Sequence, residues 1–198
     1  TVAGLWFGRG CERLGISGRV GESEFLRLCD NQHPSTAEPL TARLNTVRAF
    51  DSGTTANRRI FFDFTFSPPK SVSIAALVGG DDRILAAHAQ AVHSALSEFE
   101  SFAATRIRVH GADTNRSTGN LVSALFTHET SRALDPHLHT HAIVFNATWD
   151  PIENRWKALQ NQDLLGAKKF DENAYYHELA KALQGFGYQL RNRLQGDF

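Results

Sequence analysis

The sequence predicts an α+β fold in which helices cover one face of a central antiparallel β-sheet and an open groove lies on the other face. Three features support this prediction. Residues 60–66 alternate aromatic and polar side chains, residues after Asp81 repeat apolar side chains at helical spacing, and residues 138–146 form a second, histidine-bearing strand. The predicted strands have hairpin-like neighbours and few parallel crossovers, which favours antiparallel pairing.

The chain is predicted to form a single domain with three parts. Residues 1–57 are expected to be largely irregular, with a glycine-rich stretch at 4–21, a short helix at 22–29 and a loop at 31–57. Residues 58–160 are expected to form the sheet core, and residues 161–198 a helical C-terminal part. The chain begins at Thr1 and contains no methionine, so we expect its N-terminal end to be incomplete.

The strand over residues 60–66 should bury one face, because successive side chains of a strand point to opposite sides. The buried face would consist of Phe62, Phe64 and Phe66, and the other face of Phe61, Asp63 and Thr65. Pro68-Pro69 ends the strand, and Ser71 begins a short apolar helix.

Asp81-Asp82 introduces a longer helix with an apolar face that should pack on the sheet. That face comprises Leu85, His88, Val92, Ala95, Phe99 and Phe102. We interpret His88 and His93 as helix residues rather than metal ligands.

The elements after this helix are predicted from the same strand and helix periodicities of apolar residues. Strands are expected at 106–110 and 121–127 around a polar turn at 113–119, and an edge strand after a turn within 149–156. Helices are expected at 163–170 and 171–183, ending at Gly185-Phe186-Gly187.

Composition narrows the class of protein. Apolar residues make up 41% and charged residues 21%, as in ordinary soluble domains. The formal net charge of zero provides no general attraction to nucleic acid. Cys11 and Cys29 have neither metal-ligand nor disulfide spacing, which predicts free thiols and a cytoplasmic protein. The sequence contains no membrane-spanning apolar run and no signal-peptide pattern.

Four histidines, His128, His137, His139 and His141, lie within fourteen residues and suggest a metal site. The last three should share one face of a strand, where His137 and His141 would be roughly 13 Å apart, too far to bind the same ion. A neighbouring pair must therefore include His139, with His128 as the third ligand. We favour His128, His139 and His141, and the pair of His137 and His139 remains open.

Three imidazoles with open coordination positions suit a catalytic ion better than a structural one. The alternative is that these histidines are only polar residues of a half-exposed strand. Asp63 is a candidate to accept the second ring proton of a ligand histidine, although it could also be a direct ligand or a solvent-exposed carboxylate. Lys70 could donate to a phosphate near a helix N-terminus or be a simple exposed lysine.

Two motifs resemble those of the TrwC/TraI-type (MobF) conjugative relaxases, which are HUH endonucleases. Phe62-Asp63-Phe64-Thr65-Phe66-Ser67-Pro68-Pro69-Lys70-Ser71-Val72-Ser73 is similar to the family's aspartate-bearing strand and turn. His128-Glu129-Thr130-Ser131-Arg132, Asp135-Pro136 and Leu138-His139-Thr140-His141-Ala142 are similar to its three-histidine motif. Weaker similarity extends from Trp6-Phe7-Gly8 to Gly187-Tyr188-Gln189-Leu190.

The resemblance implies a palm-like sheet holding a divalent ion on His128, His139 and His141, with Asp63 orienting a histidine. Mg²⁺ or Mn²⁺ is the expected ion, with Zn²⁺ or Ni²⁺ as alternatives. The implied partners are single-stranded DNA at an origin of transfer, with Lys70 and Arg132 as candidate contacts, and other conjugation proteins. The implied reaction is strand-specific nicking and religation through a 5′-phosphotyrosyl intermediate. The resemblance also implies that the C-terminal end is incomplete, because the chain stops short of the family's full relaxase domain.

The sequence departs from the family pattern at the nucleophile. The family's tyrosine lies upstream of the segment that resembles residues 6–18, but the first tyrosine here is Tyr175. We expect Tyr175 and Tyr176 to pack or to stack on bases, and this chain to bind metal and DNA without cleaving. Two alternatives remain open: a non-catalytic single-stranded-DNA-binding module of the same fold, and an unrelated three-histidine metallohydrolase that uses metal-bound water.

Overall fold

A computed structural model describes residues 3–42, 47–50, 53–56 and 59–191, and these residues contain ten strands and five helices. In chain order the elements are β1 (Leu5–Phe7), α1 (Arg9–Arg13), α2 (Glu22–Cys29), β2 (Val47–Phe50), β3 (Gly53–Ala56), β4 (Phe61–Phe66), α3 (Lys70–Leu77), α4 (Asp82–Ser101), β5 (Ala104–Val109), β6 (Ala112–Ser117), β7 (Ser123–Thr130), β8 (Pro136–Phe145), β9 (Thr148–Asp150), β10 (Arg155–Lys157) and α5 (Asn161–Gly185).

The central sheet has four strands in the order β1-β7-β8-β4, and all its pairs are antiparallel. The long strand β8 lies between β7 and β4, so its side chains have neighbours on both sides. Three two-stranded sheets, β2-β3, β5-β6 and β9-β10, complete the described strands. The α+β prediction with an antiparallel sheet is confirmed.

One face of the sheet packs on α4 and α5, as the sequence predicts. Phe62, Phe64 and Phe66 of β4 are buried there, and Phe64 meets Phe99 of α4 edge to face with ring centroids 4.9 Å apart. Each such side chain contributes about 1.5–3 kcal/mol by leaving water. Phe102 is the exception on the predicted helix face, since it follows the last helical residue and is 44% exposed.

The opposite face is only partly open. Ile143 and Phe145, at the end of β8, lie in a second apolar cluster with Trp6 of β1 and Leu28 of α2. The earlier part of the same strand face carries the histidines and is not covered by that cluster. The predicted open groove is therefore confined to the histidine end of the sheet.

The prediction that residues 4–21 are irregular is wrong, because this stretch contains β1 and α1. Strand β1 has three residues and pairs with β7, more than a hundred residues away, as in the pair Leu5↔Leu125. So short a strand has little alternation of its own, and its partner is invisible to a local pattern. The predicted helix at 22–29 is confirmed.

Two further predictions of loops and turns are wrong. The stretch 31–57 contains the hairpin β2-β3, and the predicted polar turn at 113–119 is largely strand β6. The chain reverses instead at His110 and Gly111, which have positive φ of 49° and 84°. Because β6 is polar and largely exposed, it lacks the apolar alternation by which strands are recognised.

The predicted turn at 149–156 is largely the hairpin β9-β10, which forms a two-stranded sheet of its own. The strand expected after the turn is β10, and it begins earlier than predicted, at Arg155. The two helices predicted at 163–170 and 171–183 are one continuous helix, α5, which ends before Phe186 as expected. Residues 192–198 of the predicted helical part lie outside the described residues. No helix among the described residues is long and apolar enough to cross a membrane.

Candidate metal centre

The sheet brings three histidines together from two neighbouring strands. His128 of β7 is directly paired with His139 of β8, and His141 lies two residues further along the same face. The ring centroids are 5.2 Å apart for His128 and His139, 5.2 Å for His139 and His141, and 5.6 Å for His128 and His141. The three imidazoles therefore form a compact triangle at the uncovered end of the sheet.

This spacing fits a shared metal ion. With metal–nitrogen bonds of about 2.1 Å and tetrahedral angles, the centroids of two ligand rings lie roughly 5 Å apart. In the described ranges, however, no three His, Cys, Asp or Glu side chains have their donor atoms arranged around a common point for a metal. The spacing of the ring centroids is thus compatible with a shared ion, whereas the donor atoms do not form a complete coordination site in this structure.

Two of the rings have their Nδ1 atoms occupied by acceptors. Nδ1 of His141 lies 2.9 Å and 3.0 Å from the two carboxylate oxygens of Asp63, and Nδ1 of His139 lies 3.0 Å from the carbonyl oxygen of His137. A neutral imidazole that donates from Nδ1 keeps a lone pair on Nε2. Both rings can therefore offer Nε2 to a cation.

His128 is held in the form that can bind a metal. Loss of hydration, followed by the charges of His139 and His141, lowers the pKa of His128 below its usual value of 6.5. A ring with a lowered pKa is neutral at physiological pH and keeps its donor lone pair. A neutral His128 could offer its lone pair to a cation shared with His139 and His141.

His137 is placed differently from the other three histidines. Its Nε2 lies 2.9 Å from Oγ of Ser67, and its ring stacks on that of His139 with centroids 4.7 Å apart. Its Nε2 is thus engaged by a hydroxyl, whereas the Nε2 atoms of His139 and His141 are left available by their Nδ1 bonds. His128, His139 and His141 are therefore the residues that could hold a metal ion, whereas Nε2 of His137 contacts Ser67.

Comparison with known proteins decides the family. The family model described as TrwC relaxase matches residues 1–198. The chain belongs to the TrwC relaxase family. The resemblance expected from the two sequence motifs is confirmed.

Two kinds of relative agree with this TrwC relaxase assignment. The chain is 40% identical over 190 residues to the multifunctional conjugation protein TraI of Escherichia coli strain K12, covering 96% of this chain and 10% of TraI. It also resembles solved structures of the conjugative relaxase TrwC in complex with OriT DNA. A copper-bound one has a TM-score of 0.85 and a metal-bound one 0.84, each with 38% identity and covering 98% of this chain and 64% of TrwC.

This TrwC-family chain therefore spans about a tenth of the curated relative and just under two thirds of the solved TrwC chains. At this level of identity and TM-score the chain shares its fold with the solved TrwC structures.

The two candidate DNA contacts of this relaxase-family chain flank the histidines. Lys70, the first residue of α3, is exposed and donates from Nζ to the carbonyl oxygen of Pro136, 2.6 Å away. One of its three donors is thereby used, which leaves two for another acceptor. Arg132 is exposed in the loop between β7 and β8. Both cations lie next to the start of the histidine strand.

The hydroxyls of the chain's three tyrosines are hydrogen-bonded to groups other than His128, His139 and His141. Tyr175 is buried against His88 on the helix-covered side of the sheet, and its hydroxyl lies 2.8 Å from Nδ1 of that histidine. The hydroxyl of Tyr176 donates to the carbonyl oxygen of Ser67, and that of Tyr188 to a carboxylate oxygen of Asp81. The expectation that Tyr175 and Tyr176 pack within the fold agrees with this arrangement.

The sequence patterns did not identify the hydroxyl residues that contact the histidines or lie next to them on the strand. Thr65 Oγ1 lies 3.3 Å from Nδ1 of His141, and Ser67 holds His137. Thr140, between two of the histidines, is buried on the other face. Small hydroxyl residues carry no signal in a single sequence, although the positions of Thr65 and Thr140 follow from strand alternation once the register is known.

Proposed function

We propose that this chain is the metal- and DNA-binding core of a conjugative relaxase, which nicks and religates single-stranded DNA at an origin of transfer. One observation carries the proposal: three imidazoles and an orienting carboxylate meet at the uncovered end of the sheet. TrwC, a relative of the same family, has been solved with OriT DNA and with bound metal.

In this proposal His128, His139 and His141 hold a divalent cation through their Nε2 atoms. The cation would supply Lewis-acid stabilisation of the charge on a scissile phosphate. Asp63 accepts the Nδ1 proton of His141 and thereby fixes its tautomer and raises its basicity. The carbonyl of His137 does the same for His139.

A site of three imidazoles binds Zn²⁺ and Ni²⁺ with higher affinity than Mg²⁺ and Mn²⁺. We propose that availability in the cell decides the ion, with Mg²⁺ or Mn²⁺ in use. The DNA phosphates near the site also require positively charged side chains to neutralise them. We assign that role to Lys70 and Arg132. Other conjugation proteins are the expected protein partners.

The nucleophile in the proposed reaction is a tyrosine other than Tyr175, Tyr176 and Tyr188. Its hydroxyl oxygen loses its proton and forms a bond to phosphorus while the bond from phosphorus to the 3′ oxygen breaks, and the departing 3′ oxygen takes up a proton. Religation reverses these steps. The hydroxyls of the three tyrosines present are engaged within the fold. The same observation favours a second candidate function, a non-catalytic module that binds single-stranded DNA.

The test uses a labelled single-stranded oligonucleotide carrying the origin of transfer of the parent element, with Mn²⁺ added. We expect this chain to bind the oligonucleotide in preference to a scrambled sequence and to form no covalent adduct. The full-length natural product of the gene should cleave it and leave an adduct that survives denaturation. His139→Ala should abolish cleavage and retain most of the DNA affinity.

Tight binding without cleavage by the full-length product would support the non-catalytic module. Hydrolysis of small phosphate esters by this chain alone, lost in His139→Ala, would support the metallohydrolase instead. Cleavage unchanged in His139→Ala would contradict the proposed metal site.

A further inference from the structure

A chain of buried hydrogen bonds lies behind the histidines, on the helix-covered face of the sheet. Nδ1 of His88 lies 2.8 Å from the hydroxyl of Tyr175, and Nε2 of the same ring lies 2.8 Å from Oγ1 of Thr140. Oγ1 of Thr140 lies in turn 2.9 Å from Oγ1 of Thr127. His88, Thr140 and Tyr175 are 0%, 2% and 1% exposed, so these groups have little access to water.

The position of Thr140 connects this chain of bonds to the metal centre. Thr140 is the residue between His139 and His141 on β8, and its side chain points away from theirs because strand residues alternate. His88 reaches it from α4, Tyr175 lies on α5, and Thr127 is its direct partner on β7. Two helices and a neighbouring strand therefore hold the backbone segment that carries two of the three rings.

A second contact holds the same segment one residue before His139. The backbone N–H of Leu138 donates to Oγ of Ser73, which is buried in α3, over 3.2 Å. Leu138 and Thr140 point to the same face of β8. The strand is thus attached to side chains on both sides of His139, beneath the uncovered face.

The hydrogen atoms can be assigned by requiring that buried donors have acceptors. If the Tyr175 hydroxyl donates to Nδ1, then Nε2 of His88 carries the proton and donates to Thr140, and Thr140 donates to Thr127. The remaining hydroxyl hydrogen then belongs to Thr127, which is exposed and can reach water. The reverse direction would leave the hydrogen of the buried Tyr175 without an acceptor in the chain of bonds.

We propose that His88 is a positioning residue for the metal centre. Through its bond to Thr140 it fixes the position and orientation of the β8 segment that carries His139 and His141. The inference rests on the proposed metal-binding function. His88 touches neither metal nor substrate, and it acts through Thr140. Buried hydroxyl and imidazole groups in an otherwise apolar core destabilise the fold unless they are fully hydrogen-bonded. These bonds form only when β8 lies at one position relative to the helices, so they select that position.

The test compares Thr140→Val with Thr148→Val in the 198-residue chain. Both substitutions remove the hydroxyl of a buried threonine while keeping its shape, and Thr148 of β9 bonds to Thr118 and Asn120 instead of the histidine strand. Mn²⁺ binding is measured by electron paramagnetic resonance of the free ion, and stability by thermal unfolding. Thr140→Ser, which keeps the hydroxyl, serves as the conservative rescue.

We expect Thr140→Val to weaken Mn²⁺ binding about 10-fold, the lower end of the effect of outer groups on metal sites. Thr140→Ser should restore most of the affinity, and Thr148→Val should lose stability without losing Mn²⁺ affinity. His88→Phe should weaken binding as Thr140→Val does, and the double variant should be no weaker than either single one, because both remove the same bond.

Equal Mn²⁺ affinity in Thr140→Val and the unsubstituted chain would overturn the positioning role. Equal weakening in Thr148→Val would also overturn it, since the effect would then follow stability alone. If the unsubstituted chain binds Mn²⁺ no better than His139→Ala, the proposed metal site itself fails, which is a distinct outcome.

Discussion

His141 and Asp63 form a bifurcated contact in which Nδ1 of the ring lies 2.9 Å and 3.0 Å from the two carboxylate oxygens. The two residues come from adjacent strands and are not direct partners, since Asp63 is paired with Ile143 and His141 with Thr65. This diagonal contact occupies Nδ1 of His141 and leaves Nε2 as the nitrogen that could bind a cation. We therefore expect the aspartate to act on a bound ion through the ring and not by direct contact.

Replacing Asp63 should therefore weaken metal binding without removing it. We expect Asp63→Ala to reduce Mn²⁺ affinity by about 10-fold to 100-fold, because the tautomer and orientation of His141 would no longer be set. Asp63→Asn should lose less, since its amide oxygen can still accept the Nδ1 proton. Calorimetric titration measures both variants. A complete loss of binding in Asp63→Asn would indicate that the carboxylate is a direct ligand.

The two histidine sets can be separated by a matched pair of variants on one strand. His139→Ala should abolish tight Mn²⁺ binding, because His139 belongs to every plausible set. His137→Ala should change the affinity by less than about 10-fold, the effect of a group outside the ligand set, since its Nε2 already contacts Ser67. The measurement is Mn²⁺ affinity of the two variants. An equal loss of Mn²⁺ affinity in both variants would show that His137 is a ligand.

Stability should fall as the pH decreases below about 6.5. Burial, with a smaller effect from His139, lowers the pKa of His88 from 6.5 to about 4. Between these values the unfolded chain binds a proton that the folded chain does not, so acid favours unfolding. We expect a loss of about 2 kcal/mol between pH 7 and pH 5. Lowered pKa values of His128 and His137 act in the same direction.

Urea unfolding at the two pH values measures this loss, and His88→Gln provides the control. Its amide does not titrate, so the difference between pH 7 and pH 5 should become smaller even if the variant is less stable overall. Ordinary carboxylates titrate below this window. An unchanged difference in His88→Gln would show that other groups cause the pH dependence.

Gly8 should not tolerate a side chain. It joins β1 to α1 with φ of 108°, and an added Cβ would lie 2.4 Å from the carbonyl oxygen of Leu121. We expect Gly8→Ala to destabilise the fold by about 3 kcal/mol, from backbone strain together with overlap. Gly15→Ala is the matched control, since Gly15 has φ of 70° but open space around it, and it should cost about 1 kcal/mol.

Thermal unfolding compares the two variants. A similar loss in both would mean that the segment around Leu121 moves to accommodate the new methyl group.

Several elements could be predicted because their information is local. The alternation of Phe62, Phe64 and Phe66 indicated a strand with one buried face, and the apolar period after Asp81 indicated a helix that packs on it. The elements that were missed lack such a pattern. Strand β1 depends on a distant partner, β6 is polar, and β2-β3 lies in a stretch without alternation.

Some features of the candidate site could likewise be predicted from local sequence, and others could not. The sequence by itself determined which chemistry was available: four histidines, an aspartate on the polar face of a strand, and motifs specific enough to indicate the relaxase family. Strand period alone predicted that any ligand pair on this strand includes His139, because His137 and His141 are too far apart to share an ion.

Only the tertiary structure decided how these groups meet. Pairing of β7 with β8 sets His128 beside His139, and pairing of β4 with β8 brings Asp63 to His141. The tertiary structure also brings His88 of α4 into contact with Thr140 of β8, although the two residues are 52 positions apart in the sequence. The physical reason is that register is a property of two strands together, whereas periodicity within one strand defines only which face each side chain occupies.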